Sequence, residues 1–232
     1  EILVGVPKEY VYVSQKYGND NNNGLSRQSP VASIAKACEI ARSYGNVLIM
    51  DGTFTDSNII IGYNLTITGE DDVKFTGSSS NTIFTVVNNS EFTISKVTFD
   101  SLVFTQKDIG IIRQTDGFTT INQCIFNNNY VSGISGANLI EAKNIEIYNT
   151  NFTNHNKDKC HVILVKSNEF LINNCTFSNN IASHAIYSSL ISTTGEKTGL
   201  KGTITNSIFK SNTVKYGCIY FGADGRPLSL TN

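Results

Sequence analysis

Short runs of alternating apolar and polar residues fill the chain from about residue 63 onward, and one pattern recurs. An isoleucine is followed, five positions later, by a phenylalanine: Ile94 and Phe99, Ile121 and Phe126, Ile147 and Phe152, Ile172 and Phe177, Ile204 and Phe209. The first four pairs keep a nearly constant period, and the step from Ile172 to Ile204 is longer. A period of this size, built from runs too short for helices, predicts one turn of a β-solenoid per repeat. Equivalent residues then lie above one another, so the Ile and Phe positions become apolar columns inside the coil. One such period before Ile94 lies Ile67, so an earlier coil is expected there, with Asp72 in the place of its phenylalanine.

Three flanking positions repeat with the same period. Two positions after the Ile stand Lys96, Gln123, Asn149, Asn174 and Asn206. Two after the Phe stand Ser101, Asn128, Asn154, Asn179 and Ser211, and next to them Leu102, Asn129, His155, Asn180 and Asn212. Asn tolerates the left-handed backbone region and its amide can hydrogen-bond turn backbone, so these columns are expected to make bends and not to carry chemistry. The long step before Ile204 contains Thr193 to Gly199, which reads as a loop inserted at a bend.

Residues 1–62 follow another pattern. Tyr10 to Val13 reads as a strand and Gly18 to Gly24 as a turn-rich loop. A helix is expected over 30–44, with Ser29 as N-cap and Pro30 at its first position. Ile34, Ala37, Cys38 and Ala41 make its apolar face and Gly45 ends it. Such a helix would cover the exposed end of the solenoid. The organisation expected is therefore a capping segment, 1–62, continuous with coils over 63–232. No second cap is visible after Phe221, so the coils are expected to continue in a longer protein.

Composition narrows the function. Apolar residues make 40% of the chain and charged residues only 16%, and the net charge is −1 with no run of about five like charges. Nucleic-acid binding through a basic patch is not expected, and no stretch is long and apolar enough for a membrane-spanning helix. Of the five cysteines, Cys124 and Cys175 share a repeat position two coils apart, roughly 9–10 Å by strand spacing. A disulfide needs Cα atoms within about 7 Å. Cys160 and Cys218 have the same relation and Cys38 lies on the helix, so five free thiols are expected.

Candidate chemistry is sparse. His155, Asp158, Cys160 and His161 are zinc-ligand types, but Cys160 and His161 are adjacent in an expected strand and would point to opposite faces, so no metal is expected. Glu70-Asp71-Asp72 reads as a solvated turn, and Asp20, Asp108 and Asp116 are isolated. Glu141 and Lys166, one period apart, are expected to stack as an exposed ion pair. Trp is absent, but Tyr130, Tyr148, Tyr187, Tyr216 and Tyr220 could offer a contact surface for glycan or protein. Four glycosylation sequons start at Asn64, Asn88, Asn151 and Asn174, of which Asn88 is the expected surface site.

Tyr12-Val13-Ser14, Gly18-Asn19-Asp20, Asn23-Gly24, Ser29-Pro30 and Asp51-Gly52-Thr53-Phe54 resemble the opening of pectin-lyase-like β-helix proteins. Phe126 to Asn129, Phe177 to Asn180 and Phe209 to Asn212 resemble the Phe-x-x-Asn repeats of chlamydial polymorphic outer-membrane proteins. Together these features look most like the adhesin-like surface proteins of methanogenic archaea. The resemblance implies an all-β, right-handed parallel β-helix, a cell-surface or extracellular location, and a role in attachment to a host or microbial glycan or protein. No Asp, Arg or His motif of polygalacturonases, pectate lyases or pectin methylesterases carries over. The expected protein is a non-catalytic, monomeric binding module without a cofactor. Its contacts would come from a sheet face or from loops 105–110, 155–160 and 193–201. A polysaccharide lyase or hydrolase and a structural spacer are the alternatives.

Overall fold

The computed structural model describes residues 9–131, 138–157, 161–166, 169–182, 191–193, 201–214, 217–221 and 228–231. The architecture follows from one rule of register: each isoleucine of the repeat pairs with the next. Ile67 pairs with Ile94, Ile94 with Ile121, Ile121 with Ile147, Ile147 with Ile172 and Ile172 with Ile204, all in parallel strands. These strands form a first face that begins with Val11–Ser14 and Asn46–Phe54, continues through Leu65–Gly69, Glu91–Ser95, Phe118–Asn122, Ile145–Tyr148, Glu169–Asn173 and Lys201–Thr205, and reaches Leu228–Thr231. Short strands after a bend form a second face, among them Thr98–Phe104, Ile125–Asn127, Asn151–Thr153, Thr176–Ser178 and Ile208–Lys210. A third face runs from Ile59–Ile61 through Phe84–Val86, Ile112–Gln114, Ile140–Ala142, Ile163–Val165 and Ile191–Thr193 to Ile219–Phe221. The chain is a mostly-β parallel solenoid, a β-helix, with one short α-helix.

The phenylalanine column is continuous. Rings of Phe99, Phe126, Phe152, Phe177 and Phe209 stack at 4.7–4.8 Å with interplanar angles falling from 21° to 1°. Their spacing is the strand spacing itself, so the backbone ladder sets the stacking distance. Phe99 to Phe177 are fully buried, and each such side chain contributes about 1.5–3 kcal/mol. The column extends the other way through Phe75 and Phe54, which corrects the expectation of Asp72 there. Gly69 to Asp72 lengthen that bend, so the Ile–Phe offset fails although the ring keeps its place, and Phe75 pairs with Phe99.

Two columns of bends use left-handed backbone. Lys96, Gln123, Asn149, Asn174 and Asn206 have φ of 50–55°, and Ser101, Asn128, Asn154, Asn179 and Ser211 have φ of 50–57°. This is the role expected of Asn at these positions. Beside the second column runs a buried polar ladder. Asn129 Oδ1 accepts the Leu102 N–H, His155 Nδ1 accepts the Asn129 N–H, Asn180 Oδ1 accepts the His155 N–H and Asn212 Oδ1 accepts the Asn180 N–H, all at 3.0–3.1 Å. Each side chain thus serves the coil that precedes it.

The helix is shorter than its sequence predicts. Helix α1 spans Ile34–Ile40 and continues as a 3₁₀ turn, Ala41–Ser43. Its N-cap is Ser33, whose side chain accepts the Lys36 N–H, and not Ser29. Val31 instead bridges to Val13, and Asp20 Oδ1 takes the Ala32 and Ser33 N–H groups, which hold that segment extended. Ile34, Ala37, Cys38 and Ala41 are buried against the first strands, and Gly45 closes the turn with φ of 72° and an N–H bond to Ala41.

Candidate functional site

Strand alternation sends every second residue of the first face outward. Two outward columns result. Thr66, Thr93, Thr120, Glu146, Leu171 and Thr203 form one, and Thr68, Ser95, Asn122, Tyr148, Asn173 and Thr205 the other. The face is a lattice of hydroxyls and amides, interrupted in its middle by the rung of Glu146 and Tyr148 and by Leu171 on the rung that follows. The Tyr148 hydroxyl donates to Glu146 Oε2 at 2.7 Å, and both side chains are half-buried. That bond to a carboxylate pushes the Tyr148 phenol up to about 12, so it stays a neutral donor. Amides border the pair. Asn149 Nδ2 donates to Asn122 Oδ1 at 2.9 Å and Asn174 Nδ2 to Asn149 Oδ1 at 2.8 Å, which fixes their orientation along the edge of the face. The ring, one carboxylate and flanking hydroxyls and amides form a patch able to receive a sugar: a ring to cover its apolar side, with acceptors and donors for its hydroxyls.

A second polar cluster lies around the corner, on the third face. Glu141 is buried and takes three donors: Arg113 Nη2 at 3.2 Å, Lys166 Nζ at 2.5 Å and Asn138 Nδ2 at 3.2 Å. Glu141 and Lys166 therefore meet as expected, but the pair is neither fully exposed nor stacked rung on rung. Glu141 pairs in register with Leu164, and Lys166 reaches it from the following bend. Arg113, directly paired with Glu141, escaped the spacing argument. A consistent outward column on this face would have revealed it.

The remaining sequence candidates separate. His155 is fully buried in the bend ladder, whereas His161 is half-buried with its N–H on Asn138 Oδ1, and Asp158 and Cys160 lie outside the described residues. The described residues contain no group of three metal-ligand side chains. His161 is outside any described strand, so the opposite-faces reasoning does not apply to it. Glu70 pairs with Arg27 across the cap, and that guanidinium holds its carboxyl below the usual range. Asp108 gives its carbonyl to Arg113, and Asp116 caps its own turn through the Gly117 N–H. Cys38, Cys124, Cys175 and Cys218 are free thiols. Tyr130 is 37% exposed on the outward side of the second face, Tyr220 is half-buried, and Tyr187 and Tyr216 lie outside the described residues. Loop 105–110 is largely exposed, whereas 158–160 and 194–200 also lie outside the described residues. The Asn88 sequon is exposed at its Asn, but Ser90 is buried with its hydroxyl on the Val87 carbonyl. Asn151 is exposed as well, and the Thr153 hydroxyl of its sequon donates to Asn127 Oδ1 at 3.0 Å.

A cavity of about 210 Å³ lies between α1 and the first third-face strand, with Cys38, Arg42, Ile60 and Tyr63 in its wall.

No protein-family model and no curated protein matches the chain. Among solved structures it is similar to a pectin methylesterase from Aspergillus niger in deglycosylated form, with 13% identity and a TM-score of 0.46 over 97% of this chain and 87% of that one. No activity transfers at that identity.

Proposed function

We propose that the chain is a non-catalytic binding module of a cell-surface or extracellular protein, and that it receives a glycan on its first face. The observation that carries this reading is the Glu146–Tyr148 rung, set in a field of Thr, Ser and Asn. A structural face needs no aromatic–carboxylate pair at its centre, whereas a sugar site uses both. The surface location rests on the resemblance of the opening segment and the Phe-x-x-Asn coils to adhesin-like proteins. Asp20, Glu70 to Asp72, Asp108 and Asp116 stand on different bends, an arrangement that supports binding over acid–base cleavage.

Replacement of Tyr148 by Ala tests this. On a glycan array the wild-type chain is expected to retain a defined set of sugars, and the variant is expected to lose about two- to ten-fold in affinity, the scale of removing one stacking platform. Its melting temperature should stay close to that of the wild type, because the ring is half-buried on the outside of the coil. An array on which the folded wild type binds nothing would reject the reading in favour of a spacer.

A further inference from the structure

Two buried polar atoms of one coil have no hydrogen-bond partner among the described residues: Gln114 Nε2 and Thr119 Oγ1. Gln114 is 2% exposed and Thr119 not at all. Each interrupts an apolar column on the inside of the coil. Gln114 follows Ile61 and Val86 on the third face, and Ala142 and Val165 come after it. Thr119 stands between Phe92 and Ile145 on the first face, with Leu65 and Phe170 beyond them. These neighbours are all buried and apolar. A polar side chain is tolerated in such a place where it is bonded, so both interruptions need a reason.

The next coil supplies the reason for Gln114. Strands Ile140–Ala142 and Ile145–Tyr148 are joined by two residues, Lys143 and Asn144, where the Gln114 coil uses three, Thr115 to Gly117. The short bend turns two N–H groups toward the preceding coil. Gln114 Oε1 accepts both, from Lys143 at 2.8 Å and from Asn144 at 3.1 Å. Two donors on that atom identify it as the oxygen, so the free end of the amide is its NH2 group. Asn144 also turns its carbonyl toward the preceding coil, where it accepts the Thr119 N–H at 3.1 Å. One residue therefore bonds both the Gln114 amide and the Thr119 backbone, which brings the two unpaired atoms to the same inner corner. Thr119 is smaller than Phe92 and Ile145 on either side of it, and Ala142, beside Gln114, is the smallest residue of its column. A single water needs about 30 Å3 and two to four polar partners. We propose that Gln114 and Thr119 hold one internal water, which accepts from Gln114 Nε2–H and shares a hydrogen bond with the Thr119 hydroxyl. Gln114 then gives its oxygen to the bend and its nitrogen to the water, and neither buried atom stands desolvated and unbonded.

Thr119→Val keeps the shape of the side chain and removes its hydroxyl, so a wet and a dry corner give opposite results. With a water bound, the variant leaves that water a partner short, and the folding equilibrium constant is expected to fall by about five-fold. In a dry corner, removal of an unpaired buried hydroxyl raises stability, so an unchanged or higher denaturation midpoint would overturn the proposal. The loss should largely disappear in a Gln114→Met background, where the other partner of the water has already gone, and an equal loss in both backgrounds would contradict a shared water. A crystal structure of the full chain checks the site without any substitution. An ordered oxygen within about 3.2 Å of both Gln114 Nε2 and Thr119 Oγ1 is expected. A corner without that oxygen, or a direct bond between the two side chains, would overturn the proposal. The water site is independent of any ligand on the first face, and Tyr148→Ala should leave it in place.

Discussion

Lys96 is the residue at which local chemistry and fold disagree most plainly. It occupies the first left-handed bend column with φ of 55°, where Asn149, Asn174 and Asn206 occupy the same conformation in later coils. The left-handed region costs an ordinary side chain about 1–2 kcal/mol, and Asn or Gly recovers part of it. Lys96→Asn is therefore expected to raise stability by about 1 kcal/mol, read as a shift in the denaturation midpoint at unchanged slope. Asn149→Val should lower it by at least as much, because a β-branched residue is poorly suited to positive φ. The Asn columns were legible in the sequence because this backbone requirement selects so few side chains. Polar residues whose identity is set by partners across rungs were less legible. Glu141 showed its distance from Lys166 in the sequence, but its true neighbour on the ladder is Leu164, and Arg113 was not visible as a partner.

At the scale of a single bend, the thiols explain themselves. Val97, Cys124, Thr150, Cys175 and Ser207 each stand three positions after the repeating isoleucine. Thr150 and Ser207 turn their hydroxyls to the carbonyls of Tyr148 and Thr205, and Cys124 and Cys175 turn their sulfurs to those of Asn122 and Asn173. The sulfurs thus occupy a hydroxyl position. Burial pushes the Cys124 thiol up to about 12 and the Cys175 thiol up to about 11, from an ordinary 9.0. A raised folded-state value means that the folded chain holds its proton where the unfolded chain releases it. The stability these thiols allow is intact below about pH 9 and declines as pH rises from there toward 11 and 12. A chain carrying Cys124→Ser and Cys175→Ser should keep its stability at pH 7 and lose less of it between pH 9 and 11, as followed by urea midpoints across that range. A steeper alkaline loss in the double variant would contradict the burial of these thiols. The helix shows the opposite case, an element read in kind but misplaced at its start. Ser29-Pro30 has the composition of a helix start, yet the bridge from Val31 to Val13 and the two bonds to Asp20 claim that segment first. Tertiary pairing decided between two serines that local chemistry ranks alike.

Across the whole molecule, function depends on register. The Glu146–Tyr148 rung exists only because strand 145–148 sits where the Ile column puts it. The coil itself could be read from the recurring Ile–Phe offset, but the site could not. Nothing in a linear sequence distinguishes Tyr148 from Tyr130 until the pairing shows which face each side chain leaves from.

Cross-linking across rungs tests that register most directly. In a chain with its native cysteines replaced by serine, Thr93→Cys and Thr120→Cys occupy directly paired positions on the first face, one full coil apart along the chain. Cα atoms one strand spacing apart lie within disulfide reach, and two spacings, roughly 9–10 Å, lie beyond it. Mild oxidation is expected to join Thr93→Cys to Thr120→Cys and to leave Thr66→Cys with Thr120→Cys open. Failure of the first pair to close, or ready closure of the second, would contradict the stacked coil and the site built upon it.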